Sequence, residues 1–275
     1  MFPGRRSRRP AWLTTYDLGS VDRIDLNGDV GESFGLYTIG DDEGLLRYIT
    51  SANVACGFHG GDPSVMRRTV SLAVSGGVAL GAHPGFSDLM GFGRRELGMS
   101  AREVEDLVVY QIGALAGVAA AQEVRLHHVK PHGALYNMAA RDRTMADAVA
   151  RAIFTVDSTL ILFGLSGSCL LDAGEAVGLR TVAEVFADRA YLSDGSLVPR
   201  DQPDAIIVDP VEVTERALRL VQDGAVITRG GDVIELRRET ICVHGDTPGA
   251  GELAAGIRSS LEDAKIRVLP LDTGG

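Results

Sequence analysis

Five segments of this chain end an apolar run and at once display polar, ionisable residues. They are residues 24–32 (IDLNGDVGE), 52–63 (ANVACGFHGGDP), 80–88 (LGAHPGFSD), 128–137 (HVKPHGALYN) and 241–248 (ICVHGDTP). Strand-like runs that repeatedly finish in His, Asp, Asn and Gly are what a parallel α/β barrel shows where its strand C-termini form one rim. The pattern reads as an enzyme.

With 275 residues, 45% apolar and only 5% aromatic, the chain has enough core for one large α/β domain, and a single domain over 23–275 is expected. A formal charge of −10 argues against a nucleic-acid or anionic-membrane surface, since the general field repels phosphate. Cys56, Cys169 and Cys242 share no close spacing, so neither a zinc knuckle nor a disulfide framework is expected, and a reducing cytoplasm fits. The most apolar stretch, 107–121, is broken by Gln111 and is shorter than the ~20 residues that span a bilayer, so no membrane helix is expected. Residues 1–22 carry Arg5, Arg6, Arg8 and Arg9 among Gly, Pro and Ser, without an apolar signal core. They read as a disordered extension or the product of an early start site, with a targeting or docking arm as the lesser alternative.

Strand and helix signals alternate through the remainder. Strands are expected at 24–26, 49–54, 78–81, 124–129, 159–163, 181–185 and 241–243, about seven β/α units. Asp62-Pro63 supplies an N-cap and a first-turn proline for a helix to Ser75, and Ser100 with Glu103 makes a capping box opening a helix to Gln122. Further helices are expected at 41–48, 143–153, 168–177, 211–222 and 249–263, with a small hairpin across 225–236. A closed barrel and an open doubly wound sheet both satisfy this order. The first strand-to-helix turn lacks GxGxxG, and neither lysine of the chain, Lys130 or Lys265, lies in a P-loop, so any nucleotide must be held by other groups.

His59-Gly-Gly-Asp62-Pro63 and His244-Gly-Asp246-Thr-Pro248 echo each other, each placing His and Asp in a glycine-rich turn before a proline. Paired, they suggest one substrate rim; the plainer alternative is that Asp62 and Thr247 only cap helices. His83, at a strand end, can ligate a metal or shuttle protons, and with His59, Asp25 and Asp246 it makes a mixed N/O set. An acid/base cluster without metal fits the same residues. Pro131 forbids a helix carrying both His128 and His132, which favours His132 alone at the rim. Lys130 leaves a strand end toward the rim, where it suits a substrate carboxylate or phosphate, a structural salt bridge being the alternative. Asp25, Asn27, Asp29 and Glu32 crowd the first strand; alternation turns Asp25 and Asn27 one way, and both are expected at the rim, with Asp29 an ordinary turn residue. Arg94-Arg95-Glu96 and Glu184, Asp188, Arg189 and Tyr191 are further loop groups able to clamp a small acid, or simply solvated.

The segments DLNGDVGESFG, SANVACGFHGGDP, GAHPGFSD with GFGRRE, HVKPHGALYN, EVFADRAY and VHGDTPGA together resemble the LamB/YcsF family, over about residues 24–268. That resemblance implies the A subunit of the bacterial-type 5-oxoprolinase, which opens 5-oxoproline (pyroglutamate) to L-glutamate with ATP hydrolysis, ATP entering with Mg²⁺, alongside two further subunits, B and C. It also implies an irregular seven-stranded (β/α) barrel similar to those of deacetylases and glycoside hydrolases. Deacetylases of that fold bind a divalent metal through Asp and His, which gives Asp25, His59 and His83 a second motive. The expected roles follow. Asp25, Asn27, His83, Lys130, His132 and Asp246 belong to catalysis: Lys130 with an arginine holds a carboxylate or transferred phosphate, and His83, His132 or Asp246 manages protons. Glu32, His59, Asp62, Arg94 and His244 belong to substrate binding, with helix N-termini at Asp62 and Thr247 stabilising oxyanions. Two rival classes use the same rim: a metal-dependent amidohydrolase or carbohydrate deacetylase acting without ATP, and a non-catalytic binding subunit.

Overall fold

The structure is a computed structural model and describes residues 21–272; residues 1–20 of the expected N-terminal extension lie outside the described residues. The first strand, β1 (Arg23–Val30), carries Ile24, Leu26 and Val30 on one alternation and Asp25, Asn27 and Asp29 on the other, and all six are buried. Successive side chains point to opposite faces. One face therefore meets the surrounding helices and the other fills the inside of a closed sheet.

β2 (Ser51–Ala55), β3 (Ala79–His83), β4 (His128–Val129), β5 (Ile161–Leu165) and β6 (Thr181–Phe186) follow in parallel register. The chain then makes an antiparallel hairpin, β7 (Ala225–Ile227) and β8 (Val233–Glu235). β9 (Thr240–Val243) pairs with both β6 and β1 and closes a parallel barrel of seven strands. β10 (Arg267–Val268) adds beside the start of β1, where Arg267 also pairs with Asp22.

Helices α1 (Asp42–Leu46), α2 (Pro63–Ser75), α3 (Ala101–Ala120), α4 (Gly133–Arg141), α5 (Arg143–Val156), α6 (Cys169–Val177), α7 (Pro210–Asp223) and α8 (Ala250–Asp263) connect the strands. Local chemistry sets their ends. Asp62 accepts from the Ser64 and Val65 amides to start α2, and Ser100 with Glu103 forms the reciprocal capping box of α3. At α8 the expectation fails: the N-cap is Gly249, not Thr247, so Thr247 holds no helix N-terminus. α4 and β10 carry no signal as strong as a capping box, and neither is anticipated by the sequence. Among the described residues no helix is long and apolar enough to cross a membrane.

β1 extends four residues further than its apolar run suggests, and this corrects the expected placement of Asp25. It pairs with Thr240 at the beginning of β9, so it lies at the base of the barrel, opposite the rim. There the Thr50 and Ser51 hydroxyls donate to Oδ1 at 2.7 Å each, and the Thr240 hydroxyl donates to Oδ2 at 2.5 Å. Burial outweighs these bonds and lifts the Asp25 carboxyl from 3.8 to about 6. A raised acid makes the folded state bind more protons than the unfolded one. Its contribution is therefore fully present below pH ~4 and lost as pH rises through about 6. From the two values the loss is about 3 kcal/mol. Asp25→Asn is expected to remove this component, so urea midpoints of variant and wild type should converge or cross between pH 4 and 7.5. Parallel profiles would show that the carboxyl is not proton-loaded in the fold.

Candidate active site

Four rim residues from separate connections meet at one point. Glu32 follows β1, His59 lies in the turn after β2, His83 ends β3, and His132 precedes α4. One ligand atom from each lies within 4.8 Å of all the others, and all four residues are buried. Close packing by glycine makes room: a Cβ on Gly85 would lie 2.7 Å from His59 Nδ1, and one on Gly93 (φ +62°) 2.7 Å from His59 Cβ.

Backbone carbonyls set the imidazole tautomers. His83 Nδ1 lies 2.7 Å from the Lys130 carbonyl, and His132 Nε2 lies 2.8 Å from the Phe92 carbonyl, so each of these nitrogens carries its proton. The other two nitrogens, His83 Nε2 and His132 Nδ1, then face each other at 3.0 Å as lone pairs. His59 stacks on His132 at 3.7 Å between centroids, and neither of its ring nitrogens has a hydrogen-bond partner among the described residues. Its 3.5 Å approach to Glu32 is no ion pair: burial holds His59 and His132 well below the usual imidazole range and pushes Glu32 well above the carboxyl range. Three imidazoles and a carboxyl with converging, unsatisfied lone pairs are a donor set that fits a divalent cation.

Beside this cluster, Lys130 is the buried hub of the barrel interior. Its ammonium lies 2.9 Å from Asp29 Oδ1, 3.0 Å from Glu184 Oε1, 3.2 Å from Asn27 Oδ1 and 2.9 Å from Cys242 Sγ. Asn53 donates to Asn27 and Asp29, Asn27 donates to Glu184, and Tyr136 donates to Glu184 at 2.7 Å. Burial opposes both charges of the Lys130–Asp29 pair, yet their proximity holds Lys130 well above the usual ammonium range and Asp29 well below that of carboxylates. Asp29, Cys242 and His244 also converge closely enough for a metal, but the Lys130 ammonium already bridges Asp29 and Cys242.

His244 completes the constellation. Its Nδ1 lies 2.7 Å from Asp188 Oδ2, and its ring packs near-parallel to Phe186. A carboxylate that fixes one imidazole nitrogen leaves the other as a proton acceptor or donor. A cavity of about 40 Å³ touches Asp29, His83, Lys130, His132, Tyr136 and His244. It shares Arg94, Arg189 and Arg200 with an adjoining groove of about 730 Å³, a volume suited to a small-molecule ligand.

The model of the LamB/YcsF family matches residues 24–274. The chain belongs to this family. It is 57% identical over 245 residues to the A subunit of 5-oxoprolinase from Bordetella pertussis, covering 89% of this chain and 97% of that one. To the corresponding 5-oxoprolinase subunit of Bacillus subtilis it is 55% identical over 246 residues, covering 90% and 96%. The crystal structure of a lactam utilization protein from Thermus thermophilus superposes with a TM-score of 0.85 at 46% identity, covering 90% of this chain and 100% of that one.

Of the residues singled out in this LamB/YcsF sequence, the structure gathers Glu32, His59, His83 and His132 into one cluster; Lys130, bonded to Asn27, lines one small cavity with His83, His132, His244 and Arg94. Lys130 is not a free rim cation, since its ammonium is consumed inside the barrel. Asp246 is engaged by Arg94 at 2.7 Å and holds that guanidinium beside the cavity. Two residues stand apart. Asp25 sits at the base and joins neither His59 nor His83 as a ligand, and Asp62 spends its carboxylate on the Ser64, Val65 and Gly35 amides. His128 is separate from His132: it bonds Asn53 and stacks on Phe163. Asn53, Tyr136 and Cys242 are central here without being marked by the sequence. Asp29 is a member of the interior network rather than a turn residue, and Glu184 and Asp188 are buried partners rather than loop charges. Continuing the alternation of Asp25 and Asn27 by one step identifies Asp29.

Proposed function

We propose that this chain is the A subunit of a 5-oxoprolinase, opening the lactam of 5-oxoproline to L-glutamate in a reaction driven by ATP with Mg²⁺ and completed with subunits B and C. The observation that carries this reading is the 57% identity across 97% of a relative bearing that name, joined to a buried His, Glu and Lys constellation at a substrate-sized groove. A five-membered lactam is a stabilised amide. Opening it requires attack at the carbonyl carbon and a proton for the departing nitrogen. We assign His244, oriented by Asp188, to move that proton, and Arg189 and Arg200, which line the same cavity, to hold the substrate carboxylate. Lys130, enclosed by Asp29 and Glu184, positions the interior network and keeps Asp29 ionised.

We assign Glu32, His59, His83 and His132 to a divalent cation. When bound, it would polarise a carbonyl or acidify a water. That donor set also favours one alternative, a metal-dependent amidohydrolase acting without ATP. The free cysteines, with Cys242 engaged as a thiol by Lys130, support a reducing, cytoplasmic setting.

Glutamate and ADP formation from 5-oxoproline and ATP separates the readings. Coupled turnover only when subunits B and C are added is the expected result. ATP-independent turnover by the isolated chain with zinc would favour the amidohydrolase, and no turnover in any mixture would remove the oxoprolinase assignment.

A further inference from the structure

The groove outside the inner cavity has an unsatisfied polar end of its own. After β5 the chain turns through Ser166, Gly167 and Ser168 into α6, with Gly167 at φ +75°, and these three residues line the groove. Ser168 occupies the N-cap of α6, where a serine hydroxyl ordinarily accepts from a first-turn amide. Here it does not. Ser168 makes no side-chain capping bond, is only 4% exposed, and leaves its Oγ buried without a partner among the described residues. A buried hydroxyl left unpaired is costly, and a helix start without a side-chain cap presents amide donors and the positive end of its dipole.

Charge in the groove favours an anion. Arg94 is spent on Asp246 and Arg141 on Glu96. Arg189 is buried and among the described residues its side chain donates only to the Ala205 and Val198 carbonyls, so its charge is not neutralised by those bonds. Arg200 is half-buried, lines both the groove and the inner cavity, and makes no hydrogen bond or ion pair among the described residues. The groove's remaining carboxylates, Asp194 and Asp201, are exposed, where water screens them.

We propose that residues 166–168 and the N-terminus of α6 form a phosphoryl-binding subsite, with Arg200 supplying charge between it and the inner cavity. The ligand is a phosphate-bearing molecule whose reacting end enters the cavity beside Lys130 and His244. Its phosphoryl group is either that of a nucleotide or one carried by a phosphorylated small substrate. The assignment rests on the reading above that phosphoryl chemistry accompanies the reaction, but its test is binding to the full chain alone, so the two fail separately.

Calorimetric titration with inorganic phosphate, acetyl phosphate and ADP provides that test. Saturable phosphate binding is expected, weakened about 10-fold in Arg200→Gln, a loss within what a charge-assisted contact supplies. Ser168→Asp should abolish it while leaving the thermal midpoint equal or higher, because aspartate is a good N-cap yet repels phosphate. Acetyl phosphate binding tighter than ADP would identify the phosphorylated small substrate, and the reverse order the nucleotide; either supports the subsite. Unsaturable phosphate binding, or binding undiminished in Ser168→Asp, would overturn it.

Discussion

Lys130→Met is expected to cost about 3–5 kcal/mol of stability, the usual penalty for removing one partner of a buried ion pair. The side chains are similar in length, so packing changes little. What changes is charge: Asp29 and Glu184, both buried, lose the ammonium that lies within 3.0 Å of each. Urea unfolding measures the loss directly. A second substitution, Glu184→Gln, should recover part of it in the double variant, since one of the two orphaned charges is then gone. Turnover in the complete enzyme should fall by about 10- to 100-fold, as the network that positions the site is disrupted. A Lys130→Met protein as stable as wild type would mean that the interior carboxylates do not depend on this cation.

The second large effect concerns the histidine cluster. Adding zinc to metal-stripped protein at ~100 times its dissociation constant should stabilise the fold by about 2.7 kcal/mol. For a chain of this length that is a rise of roughly 5–10 °C in thermal midpoint. Metal analysis should find about one ion per chain, the number that a single three-imidazole, one-carboxyl set can hold. Glu32→Gln and His59→Asn are near-isosteric and should each abolish both the bound ion and the zinc-dependent rise in midpoint. They should also lower turnover at least about 100-fold. The lone pairs of His83 and His132, opposed at 3.0 Å with no proton assigned between them, motivate this expectation. Identical midpoints with and without zinc, together with full turnover of metal-stripped protein supplied with Mg²⁺ and ATP in a zinc-selective chelator, would instead make the cluster an acid/base group sharing a proton.

Much of the architecture follows from local pattern. Alternating apolar runs and helices, the Asp62-Pro63 start, and the Ser100 and Glu103 capping box define most elements to within a few residues. Helix α4 is obscured by Pro131, which ends the extended segment just before it, and β4 shrinks to His128–Val129. The differences at the site share one cause. An apolar run is a poor measure of strand length where the interior of a barrel is polar: Asp25, Asn27 and Asp29 from β1, Asn53 from β2, Glu184 from β6 and Thr240 and Cys242 from β9 join the hydrogen-bond network inside it. Polar residues that lie inside a sheet look, in sequence, like the beginning of a loop.

The sequence by itself determined the order of β/α units, the family, and the set of histidines at the strand ends, because these depend on short-range periodicity and local motifs. Which of those groups meet was decided only by closure of the barrel. Glu32, His59, His83 and His132 belong to four connections spread over about a hundred residues, and their convergence within 4.8 Å is a product of strand register and ring closure. The same closure placed Asp25 at the opposite end from its neighbour Asp29 and turned Lys130 inward between two carboxylates. Long-range register and burial set those outcomes, and neither is encoded in the spacing of residues along the chain.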